Sequence, residues 1–346
     1  MLSEKKSLLS NCTSGGCGAK IESNALSSLL ASLPQSRDER LLVGYDTCDD
    51  AAVYKLDDKQ SLIFTVDFFP PMVDDPKTFG RIAAANALSD VWAMGGRPML
   101  ALNLVCFPEV FEKEILAEII TGGEEKITEA GAVLGGGHSI YDREPKYGLA
   151  VSGIAETQKV IRNNTPKPGH KLILTKPLGS GIVMAALRVG MANEESVRQA
   201  IAGMERLNRY AAECMMHCTV SACTDITGFG LLVHVMEMAG TEATIVLHPE
   251  ALPFIPEAAG YADEYLLTAA GQRNRNRAEK AVNVSKLPFA VQELMFDPQT
   301  SGGLLIAVAP DQAQALISEI RKNGDESAAI IGEITERSEK PILFKT

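Results

Sequence analysis

Basic side chains are in short supply in this 346-residue chain: 33 Lys and Arg stand against 44 Asp and Glu, a formal net charge of −11. A polyanion groove needs a basic excess on one face, so nucleic acid is excluded as a partner. Long apolar runs are missing too, none reaching the ~18 residues of a membrane-spanning helix. The start, MLSEKKSLLSNC, has no apolar stretch of roughly 7 to 15 residues such as a signal peptide carries, and the expected location is the cytoplasm. Cysteine is sparse and odd in number, seven spread along the chain, which makes no disulfide framework and reads as reduced thiols. No period of roughly 20 to 50 residues recurs, which excludes repeat architectures.

What is present is an ordinary globular composition, 46% hydrophobic and 22% charged, in a chain longer than one core usually supports. Two domains are expected. Residues 1–40 read as a mobile, glycine-rich arm running into a first helix from Ile21 to Leu33, stopped by Pro34. Short strands LLVGYD and AAVYKL and the β-branched, aromatic run SLIFTVDFF follow. The spacing of Phe79, Ile82, Ala83, Asn86, Leu88 and Val91 predicts a helix over 77–94, ended by Gly95-Gly96. Strand PMLALNLVCF, a helix over 109–130, the glycine run GGGHS at 135–139 and strand YGLAVSGIAE complete a mixed α/β domain over 41–156. Residues 157–170, rich in Pro, Asn and Gly, read as a linker. The domain over 171–346 opens on strand KLILTKP, followed by helices near 180–190 and 194–216, the loop CTDITGFG, a helix to Gly240 and strand ATIVLH. It closes with DPQTSGGLLIAVAP, a helix over 310–323 and strand AAIIGEI.

Asp49, Asp50, Asp67, Asp90 and Asp225 stand at the ends of apolar strands or on short loops beside helices, where the ligands of such sheets collect. Singly, each also serves as a turn former or helix cap. Together, hard oxygen ligands from separate segments without His or Cys suit Mg²⁺ rather than zinc. Two like charges ~4 Å apart repel by about 4 kcal/mol at an effective dielectric of 20, so these carboxylates meet a triphosphate only through cations. The run NCTSGGCGAKI over 11–21 sets Cys17 among Gly15, Gly16 and Gly18, three residues before Lys20. It is no P-loop, because Ala19 precedes the lysine and Ile21 follows it. It reads as a flexible loop bearing a soft nucleophile and a cation. Lys20 could lower the thiol pKa or bind phosphate, or both residues could be incidental to a terminal arm. GGGHS could bring backbone N–H groups to a phosphate or be a turn only. Cys214, His217, Cys218 and Cys223 lack a standard zinc spacing and are expected as buried small side chains on a core helix.

Taken in order, GCGAKI at 16–21, DTCDDAAVY at 46–54, TVDFFPPMVDDPKTFGRIAAANALSDVWAMGGRP at 65–98, GGHSI at 136–140, LTKPLGSG at 174–181, TDITGFGLL at 224–232 and DPQTSGGLL at 297–305 resemble the selenophosphate synthetase (selenide, water dikinase) family. That family belongs to the aminoimidazole ribonucleotide synthetase-like superfamily, and the resemblance runs over nearly the whole chain. It implies a two-domain fold, an N-terminal α/β domain and a C-terminal α+β domain of mixed sheets packed with helices, paired as a homodimer through N-domain strands. It implies ATP-dependent synthesis of selenophosphate from selenide and water, with ATP and selenide as substrates, AMP and orthophosphate released, and Mg²⁺ required. Cys17 matches the family's motif cysteine and Lys20 its essential lysine, both with catalytic roles. Nucleotide contacts map to Lys20, Thr47, Cys48, Asp49, Asp67, Asp90 and the turn Gly137-His138-Ser139, and metal ligands to Asp50, Asp90 and Asp225. A thiol on a glycine hinge would hold selenium and swing it to the phosphates. Ala19 stands where some relatives carry a second thiol, and Thr13 or Ser14 where some carry a histidine, so this loop offers no Cys-pair mechanism. AGQRNRNRA over 270–278 follows the family pattern loosely and leaves Arg273, Arg275 and Arg277 unassigned. Two other readings are an enzyme of the same superfamily that releases ADP through a phosphorylated intermediate, and a non-catalytic selenium carrier.

Overall fold

The computed structural model describes residues 7–12, 15–20, 38–44 and 49–345. Within them the chain builds two mixed sheets of six strands each. The first contains β1 (Leu41–Val43), β2 (Ala52–Lys55), β3 (Gln60–Phe69), β4 (Arg97–Phe107), β5 (Val133–Tyr141) and β6 (Lys146–Glu156), in spatial order β1-β2-β3-β6-β4-β5. Its β4–β5 pair is parallel and the rest antiparallel. The second contains β7 (Lys171–Leu174), β8 (Val220–Asp225), β9 (Ala243–Leu247), β10 (Leu304–Val308), β11 (Ala329–Glu336) and β12 (Ile342–Phe344), in order β12-β9-β11-β7-β10-β8. The helices are α1 (Pro76–Ala93), α2 (Lys113–Glu129), α3 (Ser180–Arg188), α4 (Glu194–Glu205), α5 (Arg209–Met215), α6 (Gly230–Ala239), α7 (Ala258–Asp263), α8 (Ala269–Ala278), α9 (Phe289–Phe296) and α10 (Ala313–Lys322). The helix expected over 21–33 lies outside the described residues. No helix among the described residues is long and apolar enough to cross a membrane.

The element that positions the site is α1. Asp75 caps it by accepting from the Thr78 N–H at 2.8 Å, and Pro76 brings a φ already suited to the first turn. Fifteen of its eighteen residues are buried, because it packs on β3 and β6 on one side and on β8, α4 and α5 on the other. A helix buried all round offers no face to water, so its polar residues Asn86, Ser89 and Asp90 must find partners inside. The approach of α1 to α2 is close. A Cβ on Gly80 would stand 1.9 Å from the Ile119 carbonyl oxygen, and one on Gly122 2.1 Å from that of Lys77.

Three expectations are corrected. The helix expected over 194–216 is broken into α4 and α5, since the chain turns extended at Arg206 (ψ 126°) and lets Asn208 Nδ2 donate to Ser89 Oγ and the Gly302 carbonyl, each at 2.8 Å. The glycine run is not a turn. Gly137, His138 and Ser139 belong to β5, where parallel pairing with Asn103, Leu104 and Val105 satisfies their backbone, and a Cβ on Gly137 would lie 2.2 Å from the Asn103 carbonyl oxygen. The cysteine cluster does not share one helix: Cys214 lies in α5, Cys218 beyond its end, and Cys223 is buried on β8.

Gly80→Ala should cost about 1–3 kcal/mol of stability through overpacking between α1 and α2. The check is a lowered urea midpoint at unchanged m-value; a midpoint equal to that of the parent protein would show that the two helices separate freely.

Candidate functional site

Strand alternation sends Thr65 and Asp67 of β3 to the side facing α1, and Phe64, Val66 and Phe68 to the opposite, exposed side. On α1, Asn86, Ser89 and Asp90 fall at i, i+3 and i+4 and form one polar seam. Asn86 Nδ2 donates to Asp67 Oδ2 at 2.6 Å, and Thr65 Oγ1 to Asp90 Oδ2 at 2.5 Å. From the second half, β8 ends at Asp225, which takes a hydrogen bond from Ser89. Asp50, just before β2, accepts from Thr224 Oγ1 at 2.7 Å. Carboxylates from four separate segments thus converge where the two sheets meet across α1.

The electrostatics of this convergence are unfavourable in the chain alone. Asp50 Oδ2 and Asp225 Oδ2 are buried without a hydrogen-bond partner. Burial pushes the carboxyls of Asp50 and Asp90 well above the usual range, and the charge of Asp225 adds to the effect on both. Asp225 is pushed up to about 6, chiefly by burial, against the opposing Ser89 hydrogen bond and Lys20 charge. Among the described residues no three His, Cys, Asp or Glu side chains close into a metal cage; what they form is a buried acidic face.

Against that face lies the thiol loop, whose Gly16–Ala19 segment is a 3-10 turn. Both halves hold it. The Gly16 N–H donates to the Pro70 carbonyl at 2.9 Å, the Cys17 N–H to Thr300 Oγ1 at 3.2 Å, and Arg273 Nη2 to the Gly18 carbonyl at 2.8 Å. Gly16 sits at φ 58°, and a Cβ there would come 2.3 Å from Thr300 Oγ1, so glycine is required. Cys17 Sγ donates to Asn86 Oδ1 at 3.1 Å, the same oxygen that accepts from the Ser301 N–H at 3.0 Å. Burial pushes the Cys17 thiol up to about 12, with the Lys20 charge opposing. Lys20 Nζ stands 3.2 and 3.3 Å from the two Asp67 oxygens. Burial disfavours the ammonium, yet Asp67, backed by Cys17, Asp90 and Asp225, raises its pKa above the ordinary lysine value.

Beneath the loop, buried Lys176 is pushed down to about 7 by desolvation and donates to the carbonyls of Ser301 at 2.9 Å and Arg206 at 2.7 Å. It thereby steadies Ser301, which adopts φ 50°.

Of the residues singled out in the sequence, Cys17, Lys20, Asp50, Asp67, Asp90 and Asp225 come together. Asp49 adjoins them but accepts from the Asn163 N–H at 2.8 Å. Thr47 and Cys48 lie outside the described residues. Gly137, His138 and Ser139 do not join the cluster. Gly137 shares a cross-sheet row with Asp67 through Leu149 and Asn103, which is three strand spacings, about 14 Å, and all three residues are exposed. Sequence reasoning places Asn86 on the helix but gives it no role. The available signal is three polar residues at i, i+3 and i+4 within the apolar AAANALSDVWA.

The stability of the ligand-free chain should fall as pH rises. Asp225 titrates near 6 when folded against 3.8 as the ordinary value, so the folded state retains a proton that the unfolded chain has released. That contribution is whole below about pH 4 and lost through about pH 6, with Asp50 and Asp90 extending the loss upward. Asp225→Asn should raise Tm by a few degrees at neutral pH and flatten the slope in a thermal-melt series; an unchanged slope would show that buried Asp225 holds no extra proton in the folded state.

Known proteins share this architecture. A family model described as AIR synthase related protein, N-terminal domain, matches residues 48–155, and its C-terminal domain counterpart matches 167–343. The chain is 60% identical over 339 residues to the Selenide, water dikinase of Desulfitobacterium hafniense (strain DSM 10664 / DCB-2), covering 98% of this chain and 99% of that one. It is 48% identical over 345 residues to the Selenide, water dikinase of Clostridioides difficile (strain 630), covering 99% of each. Among solved structures, tt0281 from Thermus thermophilus has the same fold, with a TM-score of 0.68 at 19% identity over 93% of this chain and 95% of that one. With such identity sustained from end to end, the chain belongs to the selenide, water dikinase family of AIR synthase related proteins.

Proposed function

We propose that the chain synthesises selenophosphate, converting ATP, selenide and water to selenophosphate, AMP and orthophosphate. Beyond family membership, one observation carries this reading. A thiol and an ammonium, Cys17 and Lys20, are linked through Asn86 and Asp67 to an acidic face built from both halves of the chain.

In this reading Lys20 leaves its pairing with Asp67 to meet the charge that develops on a transferring phosphoryl group. Asp49, Asp67 and Asp90, with Thr47 and Cys48, contact the nucleotide. The Cys17 thiol is protonated where it lies, its proton turned toward Asn86 Oδ1. It handles selenium after loss of that proton, which Lys20 favours. The loop that carries it shields the reacting atoms from water.

The unpartnered oxygens of Asp50 and Asp225, beside Asp90, fit a Mg²⁺ ion held by few carboxylates and completed by substrate phosphates. When bound, Mg²⁺ neutralises the repulsion between carboxylates and polyphosphate. Six described cysteines are free thiols, as suits the reducing cytoplasm.

A homodimer completes the reading. Phe64, Val66 and Phe68 of β3 and Leu100 and Leu102 of β4 are 38 to 49% exposed on the sheet face turned away from α1, an apolar patch suited to a second copy. Gly137, His138 and Ser139, too far from Asp67 in their own chain, then contact the nucleotide of the partner subunit.

Phosphorus NMR of the purified chain with ATP, Mg²⁺ and selenide should show a selenophosphate resonance and AMP. ADP without selenophosphate would overturn the proposal. Cys17→Ser should lower selenide-dependent turnover on the order of 100-fold; full turnover would remove the thiol from the mechanism. For the dimer, sedimentation should give twice the chain mass, and Val66→Glu should shift it toward monomer; a parent protein that is monomeric at micromolar concentration rules the interface out.

A further inference from the structure

The arginines of α8 divide by helical geometry. Arg273 and Arg277, four residues apart, share one face, and Arg275 points away from it. Arg275 pairs with Glu293 at 2.5 Å and stacks on Phe296 at 4.6 Å. Buried Asn274 locks the helix orientation by donating to the carbonyls of Gly228 and Phe296, each at 3.0 Å. The remaining face looks onto the thiol loop. There Arg273, Arg277 and Asn276 line, with Cys17 and Lys20, a cavity of about 210 Å³.

Among the described residues no acidic side chain lines this cavity. Behind it, Asp67 balances Lys20, and Glu237 accepts from Arg277 Nη2 at 2.6 Å. Arg273 donates to the Gly18 carbonyl and has no carboxylate partner among the described residues. Arg277 lies over the Phe229 ring at 5.0 Å, and its Nε and Nη1 are buried without hydrogen-bond partners. In a chain of net charge −11, three cations gather around one small cavity, one uncompensated and one with unmet donors, and an anion would satisfy them. Guanidinium forks match oxyanions of carbon or phosphorus. Size narrows the choice, since sites that enclose drug-sized ligands span roughly 300–1,000 Å³, and a whole nucleotide is too large.

We propose that this cavity binds a tetrahedral oxyanion, orthophosphate or selenophosphate, beside the Cys17 thiol, with Arg273 and Arg277 as its ligands. The identification of the two anions rests on the proposed function; the cationic pocket does not. Its position gives the reaction a chamber for a small anion beside the acidic face that meets the polyphosphate.

The test is calorimetric titration of the full chain, without nucleotide, by inorganic phosphate and separately by thiophosphate, a sulfur stand-in for the selenium-bearing product. Arg273→Gln and Arg277→Gln should each weaken both anions by at least about tenfold, while affinity for Mg-ATP measured in the same way changes by less than about twofold. Arg277→Lys, which keeps a cation beside Glu237, guards against misfolding; it should melt with the parent protein and bind with intermediate affinity because the fork is lost. Tighter phosphate than thiophosphate assigns the released orthophosphate to the pocket, and the reverse assigns the selenium product; either supports the site. Absence of anion binding by the parent chain, or equal binding by both glutamine variants, overturns it. Arginine-dependent phosphate binding in a chain that yields no selenophosphate resonance keeps the pocket and sinks only the functional reading.

Discussion

A single carboxamide, that of Asn86, ties the first sheet, the thiol loop and the second half of the chain to one point. It donates to Asp67 and accepts from both Cys17 and the Ser301 backbone, and it is fully buried in a helix that is itself buried on every side. No charged or apolar isostere meets those demands. An aspartate would add a negative charge beside Asp67, and a leucine would leave the Ser301 N–H without an acceptor in a place water does not reach. The packing of α1, which looks like a matter of core formation, therefore also sets where the thiol can rest.

Around that point the protein separates its charges. Carboxylates gather on the seam between α1, β2 and β8, while cations gather on the thiol loop and one face of α8. The overall acidity of the chain hides this division. In the chain alone the carboxylates are held above their usual pKa and two of their oxygens go unmet, so the acidic face subtracts from stability. A fold tolerates such a cost where binding recovers it. The thiol follows the same logic, since burial keeps it protonated and inert until the surrounding charge changes.

Periodicity is a sound guide where one physical demand dominates. β3 alternates because one face covers α1, and α1 is legible because Phe79, Ile82 and Ala83 repeat with helical spacing. The misreadings fall where a distant contact outweighs local preference. GGGHS looks like a turn, yet pairing with β4 extends it, and the bare Cα of Gly137 admits the Asn103 backbone. The run over 194–216 looks like one helix, yet Asn208 must reach Ser89 and Gly302 on other segments. α8 carries an apolar pattern too weak to read, because its residues answer to the thiol loop rather than to a hydrophobic stripe.

By itself the amino-acid order determined which residues carry chemistry: the thiol, the lysine and the aspartates are marked by type and by the glycines and strand ends beside them, and those are local properties of the chain. It also determined the family, because motif order is a one-dimensional quantity. The tertiary structure alone decided which of those residues meet. Thr224 reaches Asp50 across 174 positions, Ser301 reaches Asn86 across 215, and Gly137 stays away from Asp67 although both lie in one sheet. Side chains so far apart along the chain are brought together by packing and buried hydrogen bonding, neither of which is written in any short stretch of sequence.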